Sequence, residues 1–393
     1  MAVVERDTEA HEEYERTQQR SRSKAALRTT ESNGDQSASG RGGTGELQDR
    51  QFGRARGVQL LHVALQHDWI LSMNSAAISG NVAGAITPYL AYRNRFAVAG
   101  ITVEVQGDTP ESVDLGPQLL PFATESLAHD IEVQVEWKST IEPACGRELF
   151  DSGCLWSVHR SGGGFVFDFS TERLGIRPYK RLAVDEDFLR ATVILNRECL
   201  TDEDASRALE YPLDELLITH FLSLGRGVEL HACGMVRSDR ESFLFVGHSG
   251  AGKSTTTRLW KRHASVEVLS DDRIIVRRAV ADPTKAAGPE TSGPTFLMHG
   301  TPWHGEAAFA SPERAQVRRI FLLEHGTGNR IERLSKSAAV GELLARSFTP
   351  FYQSRFVDPV LAFLEELVES LPCYRFQFVP DQSAVERILA FRD

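Results

Sequence analysis

The chain has 393 residues and a formal net charge of -10, with charged and hydrophobic fractions of 25% and 41%. This length holds two modest domains with buried cores, and the balance of residues is that of a globular chain. The acidic excess argues against a protein that lives by neutralising nucleic-acid phosphates. No apolar run reaches membrane-spanning length, so neither nucleic acid nor membrane is expected as a partner.

Residues 1–57 are rich in Glu, Arg, Gln, Ser, Thr and Gly. Such a stretch buries too little apolar surface to offset its ordering entropy, and it reads as a disordered tail. It opens charged and lacks the apolar stretch of a secretory signal. Residues 58–89 form an uncertain linker: an apolar run over 58–71 reads as a helix, and Met73 after it is a candidate start. The five cysteines (Cys145, Cys154, Cys199, Cys233 and Cys373) contain no C-x-x-C pair. That usage fits packed, reduced thiols and a cytoplasmic location.

Residues 90–222 read as a β-rich, mainly antiparallel N-terminal domain of α+β type. Short apolar-alternating runs at 96–105, 131–137, 155–159, 165–169 and 191–195 are strand-like. Gly162-Gly163-Gly164 marks a hairpin between two of them. Over 212–224, Leu213, Leu216, Leu217, His220, Phe221 and Leu224 recur at helical spacing and share one face, and Gly225-Arg226-Gly227 ends the helix. No catalytic constellation stands out in this half, which suits a recognition or scaffolding module.

Residues 223–393 read as an α/β catalytic domain. Strands are expected at 228–236 and 242–246. The second feeds Gly247-His248-Ser249-Gly250-Ala251-Gly252-Lys253-Ser254, a complete G-x-x-x-x-G-K-S phosphate loop (P-loop), and a helix leaves it from Thr255. In such a loop the amide N–H groups and the positive end of the helix cradle phosphates. Lys253 then reaches the β- and γ-phosphates of ATP, and Ser254 ligates magnesium. The next strand, 266–269, ends in Ser270-Asp271-Asp272. Two adjacent acids divide two jobs, one assisting the metal and one accepting a proton from an attacking hydroxyl; an Asp-Asp turn at a strand end is also a common solvated feature. His231 lies on the strand before the loop strand. A lone strand histidine is most often a satisfied core residue, but this one shares a sheet with the loop. The tail supplies a strand at 319–323, helices at 337–348 and 359–371, a strand at 373–379, and a last helix at 381–391 capped by Asp381 or Ser383.

His231, the glycine loop and Leu269-Ser270-Asp271-Asp272 together resemble the C-terminal serine kinase domain of HPr kinase/phosphorylase, over roughly residues 225–393. The resemblance implies a P-loop fold akin to phosphoenolpyruvate carboxykinase. It implies Asp272 as the base, Asp271 and Ser254 beside magnesium, and His231 near the transferred phosphoryl group. It also implies assembly into a homo-oligomer. The chain departs from the family at 296–306, where a metal-linked Glu and an Arg are expected; His299 replaces the arginine, and Glu306 is a substitute carboxylate for the metal. The run Gly300-Thr301-Pro302-Trp303-His304-Gly305-Glu306 is instead similar to that of HPr-kinase-related proteins of uncertain substrate. For Trp303 a core role and a site role stand level, and His299, His304 and Glu306 make a weak zinc pattern. The expectation is an ATP- and Mg2+-dependent kinase acting on a hydroxyl, a serine of a protein or peptide. A non-catalytic nucleotide-responsive binding protein and a small-molecule or carboxykinase-like phosphotransferase are the alternatives.

Overall fold

A computed structural model of the chain describes residues 92–200, 207–279 and 294–392. The tail at 1–57, the linker at 58–89 and Met73 lie outside the described residues.

Period-two burial builds the first sheet. Its strands are β1 (Tyr92–Val98), β2 (Ile101–Gly107), β3 (Ile131–Lys138), β4 (Arg147–Asp151), β5 (Trp156–Ser161), β6 (Gly164–Thr171), β7 (Gly175–Asp185) and β8 (Arg190–Asn196), in the order β1-β2-β3-β8-β7-β6-β5-β4. Val103 and Val105, then Ile131, Val133 and Val135, then Val193 and Leu195 all point into one core. The pairs β2-β3 and β3-β8 are parallel and the other neighbours antiparallel. The run expected as one strand at 96–105 is a hairpin. Ala99 and Gly100 turn it with φ of 55° and 72°, and an alanine at the turn leaves the apolar run unbroken in sequence. Strands β4 and β7 were not anticipated; β7 is polar and carries Pro178, which hides it. The Gly162-Gly163 turn does join β5 to β6, with Ser161 opposite Gly164.

Helix α1 (Leu213–Leu222) departs from the one-faced expectation, because all ten of its residues are buried. Its apolar residues join the core of the first sheet, while Glu215 and Thr219 bond side chains of the second.

The second sheet contains β9 (Val228–Arg237), β10 (Ser242–Val246), β11 (Val266–Ser270), β12 (Arg273–Arg278), β13 (Phe296–His299), β14 (Arg314–Gln316), β15 (Ile320–His325), β16 (Arg330–Arg333) and β17 (Cys373–Phe378). Its order is β14-β13-β12-β9-β10-β15-β17-β16, with β11 also on β9. Strands β10, β15 and β17 are mutually parallel, and β9 is antiparallel to β10. Strand β11 pairs β9, the direct neighbour of β10, on the edge that β12 also uses.

Helices cover both faces of this sheet. Ala339 and Leu343 of α3 (Lys336–Ala345) and Val360, Phe363, Leu364 and Leu367 of α4 (Ser354–Ser370) pack in one core. Leu259 and Trp260 of α2 (Lys253–His263) and Val385 and Ile388 of α5 (Gln382–Leu389) pack in the other. Strand β10 shows the consequence: Leu244 and Val246 enter the first core, Phe243 and Phe245 the second. A strand buried on both faces reads as a continuous apolar run. Helix α4 begins five residues before its expected start at Pro359, which sits inside it. Asp381 caps α5, accepting from the Ser383 N–H. The architecture is mixed α/β with two sheets. Among the described residues, no helix is long and apolar enough to cross a membrane.

Candidate functional site

The end of β10 and the start of α2 are joined by the glycine loop. The Gly247 N–H donates to the His231 carbonyl at 3.0 Å, and the Ala251 N–H donates to the His248 carbonyl at 3.0 Å. Gly250 and Gly252 have φ of 78° and 96°, a region open to glycine at little cost. A Cβ on Gly250 would meet nothing within 4 Å, whereas one on Gly252 would lie 2.7 Å from Phe378 Cζ. His248, Ser249 and Gly250 are exposed, while Ser254 and Thr255 in the first turn of α2 are half-buried. His325, at the end of β15, donates from Nε2 to the Gly250 carbonyl at 2.7 Å. Thr257 Oγ1 donates to the Lys253 carbonyl at 3.0 Å, tying that first turn.

Lys253 opens α2 but its side chain is buried. Its ammonium donates to His231 Nε2 at 2.5 Å and lies 3.5 Å from Asp272 Oδ1. His231 Nε2 is 2.9 Å from the same Asp272 oxygen. These three atoms form a small triangle at the mouth of the loop, and the ammonium at one corner reaches either of the other two. Backbone register produces it: Arg273 pairs His231 across β12 and β9, and the Ala232 N–H donates to the Asp272 carbonyl at 3.0 Å. The Asp pair falls at the bend between β11 and β12. There Ser270 Oγ accepts the N–H groups of Asp272 and Arg273 at 3.2 and 3.1 Å.

Behind Asp272 lies a buried ionic group that sequence reasoning missed. Arg273 Nη1 pairs with Asp272 Oδ2, and Arg273 Nε donates to Glu215 Oε1 of α1 at 2.6 Å. Glu229 Oε1 lies 3.9 Å from Arg273 Nε. Burial, then the neighbouring Glu215 charge, holds the Glu229 carboxyl well above the usual range, and Thr219 Oγ1 donates to it. The Arg273 guanidinium stacks over Phe348 at 4.0 Å from the ring centre. The available signal was two acids, Asp214 and Glu215, among the apolar residues of one helix.

Asp271 is placed differently from its neighbour. Its Oδ1 accepts the N–H groups of Gly305 and Phe309 at 3.1 and 3.2 Å, and its Oδ2 accepts that of Ala307 at 2.9 Å. Glu306 is exposed. Trp303 is buried, with its indole N–H on Asp214 Oδ2 at 2.9 Å, so it serves the core. His299 is buried in β13, and burial, then Arg277 and Arg314, push its pKa down to about 3. His304 donates from Nδ1 to the Gly305 carbonyl at 3.1 Å.

The loop fits a polyphosphate anion: exposed backbone at a helix start, a bare Cα face at Gly250, and an ammonium set at its mouth. The set named for magnesium fits less well. Asp271 spends both oxygens on backbone amides, and among the described residues no group of three or more His, Cys, Asp and Glu is disposed to hold a metal ion. Comparison with models of known protein families gives no match, and comparison with curated proteins gives none either.

Proposed function

We propose that this chain is an ATP-dependent kinase that transfers the γ-phosphate to a hydroxyl, a serine of a protein or peptide, in the manner of the HPr-kinase-like P-loop proteins it resembles. One observation carries the reading: Lys253, His231 and Asp272 meet within 3.5 Å of one another at the mouth of the glycine loop. The loop amides between His248 and Ser254, other than that of Ala251, and the α2 dipole take the phosphates. A γ-phosphate outcompetes a neutral imidazole for the Lys253 ammonium, since the charge-assisted bond is stronger. Lys253 then turns from His231 to the substrate, and Asp272 Oδ1 is released toward the acceptor. The acceptor oxygen attacks the γ-phosphorus in line, the bond to the β,γ-bridging oxygen breaks, ADP leaves, and the hydroxyl proton passes to Asp272. His231 Nε2 lies 2.9 Å from that oxygen and, once Lys253 has left, holds the carboxylate through its Nε2–H tautomer.

Labelled ATP incubated with candidate acceptors tests this. Lys253→Ala is expected to lower nucleotide affinity by at least about tenfold, as the loss of a charge-assisted contact does. Asp272→Asn should bind ATP as wild type does and lose transfer by about 10²- to 10⁴-fold, the usual worth of a general base. Wild-type transfer by Asp272→Asn removes the assigned base. A second reading has its own support, the engagement of Asp271 by backbone amides: a nucleotide-responsive binding protein without transfer. It predicts ATP binding with no label on any acceptor, while label on a metabolite would mark a small-molecule phosphotransferase.

A further inference from the structure

We propose that Asp271 is a positioning residue whose partner in this chain is the segment from Trp303 to Phe309, not a metal ion. The carboxylate latches this segment across the acidic pair. The inference rests on the kinase reading only for the importance of the site being covered.

The observation is the convergence of three amides on one side chain. A carboxylate offers about four lone-pair positions, and the Gly305, Ala307 and Phe309 N–H groups take three of them at 3.1, 2.9 and 3.2 Å. Alternate amides turned to one anion make a backbone nest. The chain is curled for it: the Ala308 N–H donates to the Gly305 carbonyl at 3.1 Å, and Ala308 has a φ of 56°. A non-glycine residue adopts that conformation only when its surroundings impose it.

Gly305 lies directly on the pair. A Cβ there would meet Asp271 Oδ2 and Asp272 Cβ, both at 3.1 Å, so a bare Cα is what allows the close approach. The segment is tied down on either side as well. Thr301 Oγ1 donates to the Arg273 carbonyl at 2.8 Å, Ser270 Oγ to the Trp303 carbonyl at 3.3 Å, and the Ser311 N–H to the Leu269 carbonyl at 2.9 Å. The Trp303 indole reaches Asp214 of α1. One lone-pair position is left, on Oδ2; to chelate a cation through both oxygens Asp271 would have to release amides, each of which would then need another partner. Held as it is, the segment lies over the acidic pair, with Gly305 against the Asp271 and Asp272 side chains and Glu306 exposed.

Hydrogen exchange on the full chain, read residue by residue, tests the latch. In the wild type the amides of Gly305, Ala307 and Phe309 should be protected, and they should remain so when magnesium and a non-hydrolysable ATP analogue are added. In Asp271→Ala they should exchange at least about tenfold faster, the signature of a local opening. Asp271→Asn, which keeps an acceptor oxygen, should show a smaller rise and covers the case in which the alanine variant fails to fold. A second readout separates latch from ligand: the ratio of analogue affinity with magnesium to that with chelator. For a latch, this ratio in Asp271→Asn stays within about twofold of wild type, because no coupling to the metal runs through the residue. Loss of protection in the wild type on adding the magnesium analogue, or collapse of the ratio toward one in Asp271→Asn, would overturn the proposal. A wild type that binds no analogue at all sinks the kinase reading instead, and exchange in the two variants still decides the latch.

Discussion

Asp214 and His220 sit in the same buried helix and titrate in opposite senses. Burial raises the Asp214 carboxyl to about 6 from 3.8, even though the Trp303 indole N–H pulls it down. Burial lowers the His220 imidazole to about 4 from 6.5; it donates from Nδ1 to the Leu216 carbonyl at 2.6 Å and accepts from the Tyr352 hydroxyl at 2.5 Å. Between pH 3.8 and 6 the folded state holds the Asp214 proton that the unfolded chain releases, so Asp214 costs stability as pH rises through that window. His220 behaves oppositely: the unfolded chain takes up its proton below pH 6.5 and the folded state resists until about 4, so stability falls as pH falls. Each shift amounts to roughly 3 kcal/mol at 1.36 kcal/mol per unit, and the two offset each other between pH 4 and 6. Asp214→Asn keeps an acceptor for Trp303 and removes one side of the balance. Urea unfolding at pH 4 and pH 7 should therefore show the variant gaining on wild type at the higher pH by up to about 3 kcal/mol. A pH-independent difference refutes the assignment. His220→Asn should make the acid side of the stability curve less steep between pH 6.5 and 4, leaving the contribution of His299, whose pKa is depressed further, to about 3.

At the level of elements, the two loop glycines make a controlled comparison. Both have positive φ, so an alanine at either incurs about 1–2 kcal/mol of left-handed strain. Only at Gly252 would the new methyl also strike Phe378, at 2.7 Å from its Cζ. Gly252→Ala should thus lose clearly more thermal stability than Gly250→Ala and more of its affinity for inorganic triphosphate; equal losses would show that the Phe378 contact yields freely. This part of the molecule was legible in the sequence for physical reasons. The strand Phe243 to Val246 is apolar throughout because both of its faces are covered, and the loop needs its glycines where backbone sterics demand them. The alignment of His231 with Asp272 was legible only as an order of motifs, since it depends on a β9-β12 register that no local signal specifies. The Asp271 nest was not legible at all, because its donors are backbone amides that carry no side-chain signature. Nor was the Arg273–Glu215 pair, whose partners are 58 positions apart in the chain. The Ala99-Gly100 turn was missed because alanine is a poor turn marker inside an apolar run.

At the scale of the whole molecule, helix α1 makes the two sheets interdependent. Its leucines and Phe221 complete the first core, which also takes in Ile275 and Phe356 from the second half. On its other side Glu215 holds Arg273, the residue paired to Asp272. Buried ion pairs are costly to assemble, and removing one partner strands the other, typically at about 3–5 kcal/mol. Arg273→Ala is expected to lose stability on that scale. Since Arg273 contacts α1, that loss should be felt in both sheets at once. The described part of the chain belongs to one compact unit, and α1, which packs in the first core and bonds Arg273 of the second sheet, links the unfolding of the two. Hydrogen exchange across a urea series can follow peptides from β8 in the first sheet and β10 in the second. In the wild type both should lose protection at a single midpoint. In Arg273→Ala both midpoints should fall together, because the network ties α1 to β12. A lower midpoint for β10 peptides alone would mean that the first sheet stands without the second, and that the link through α1 carries no stability between them.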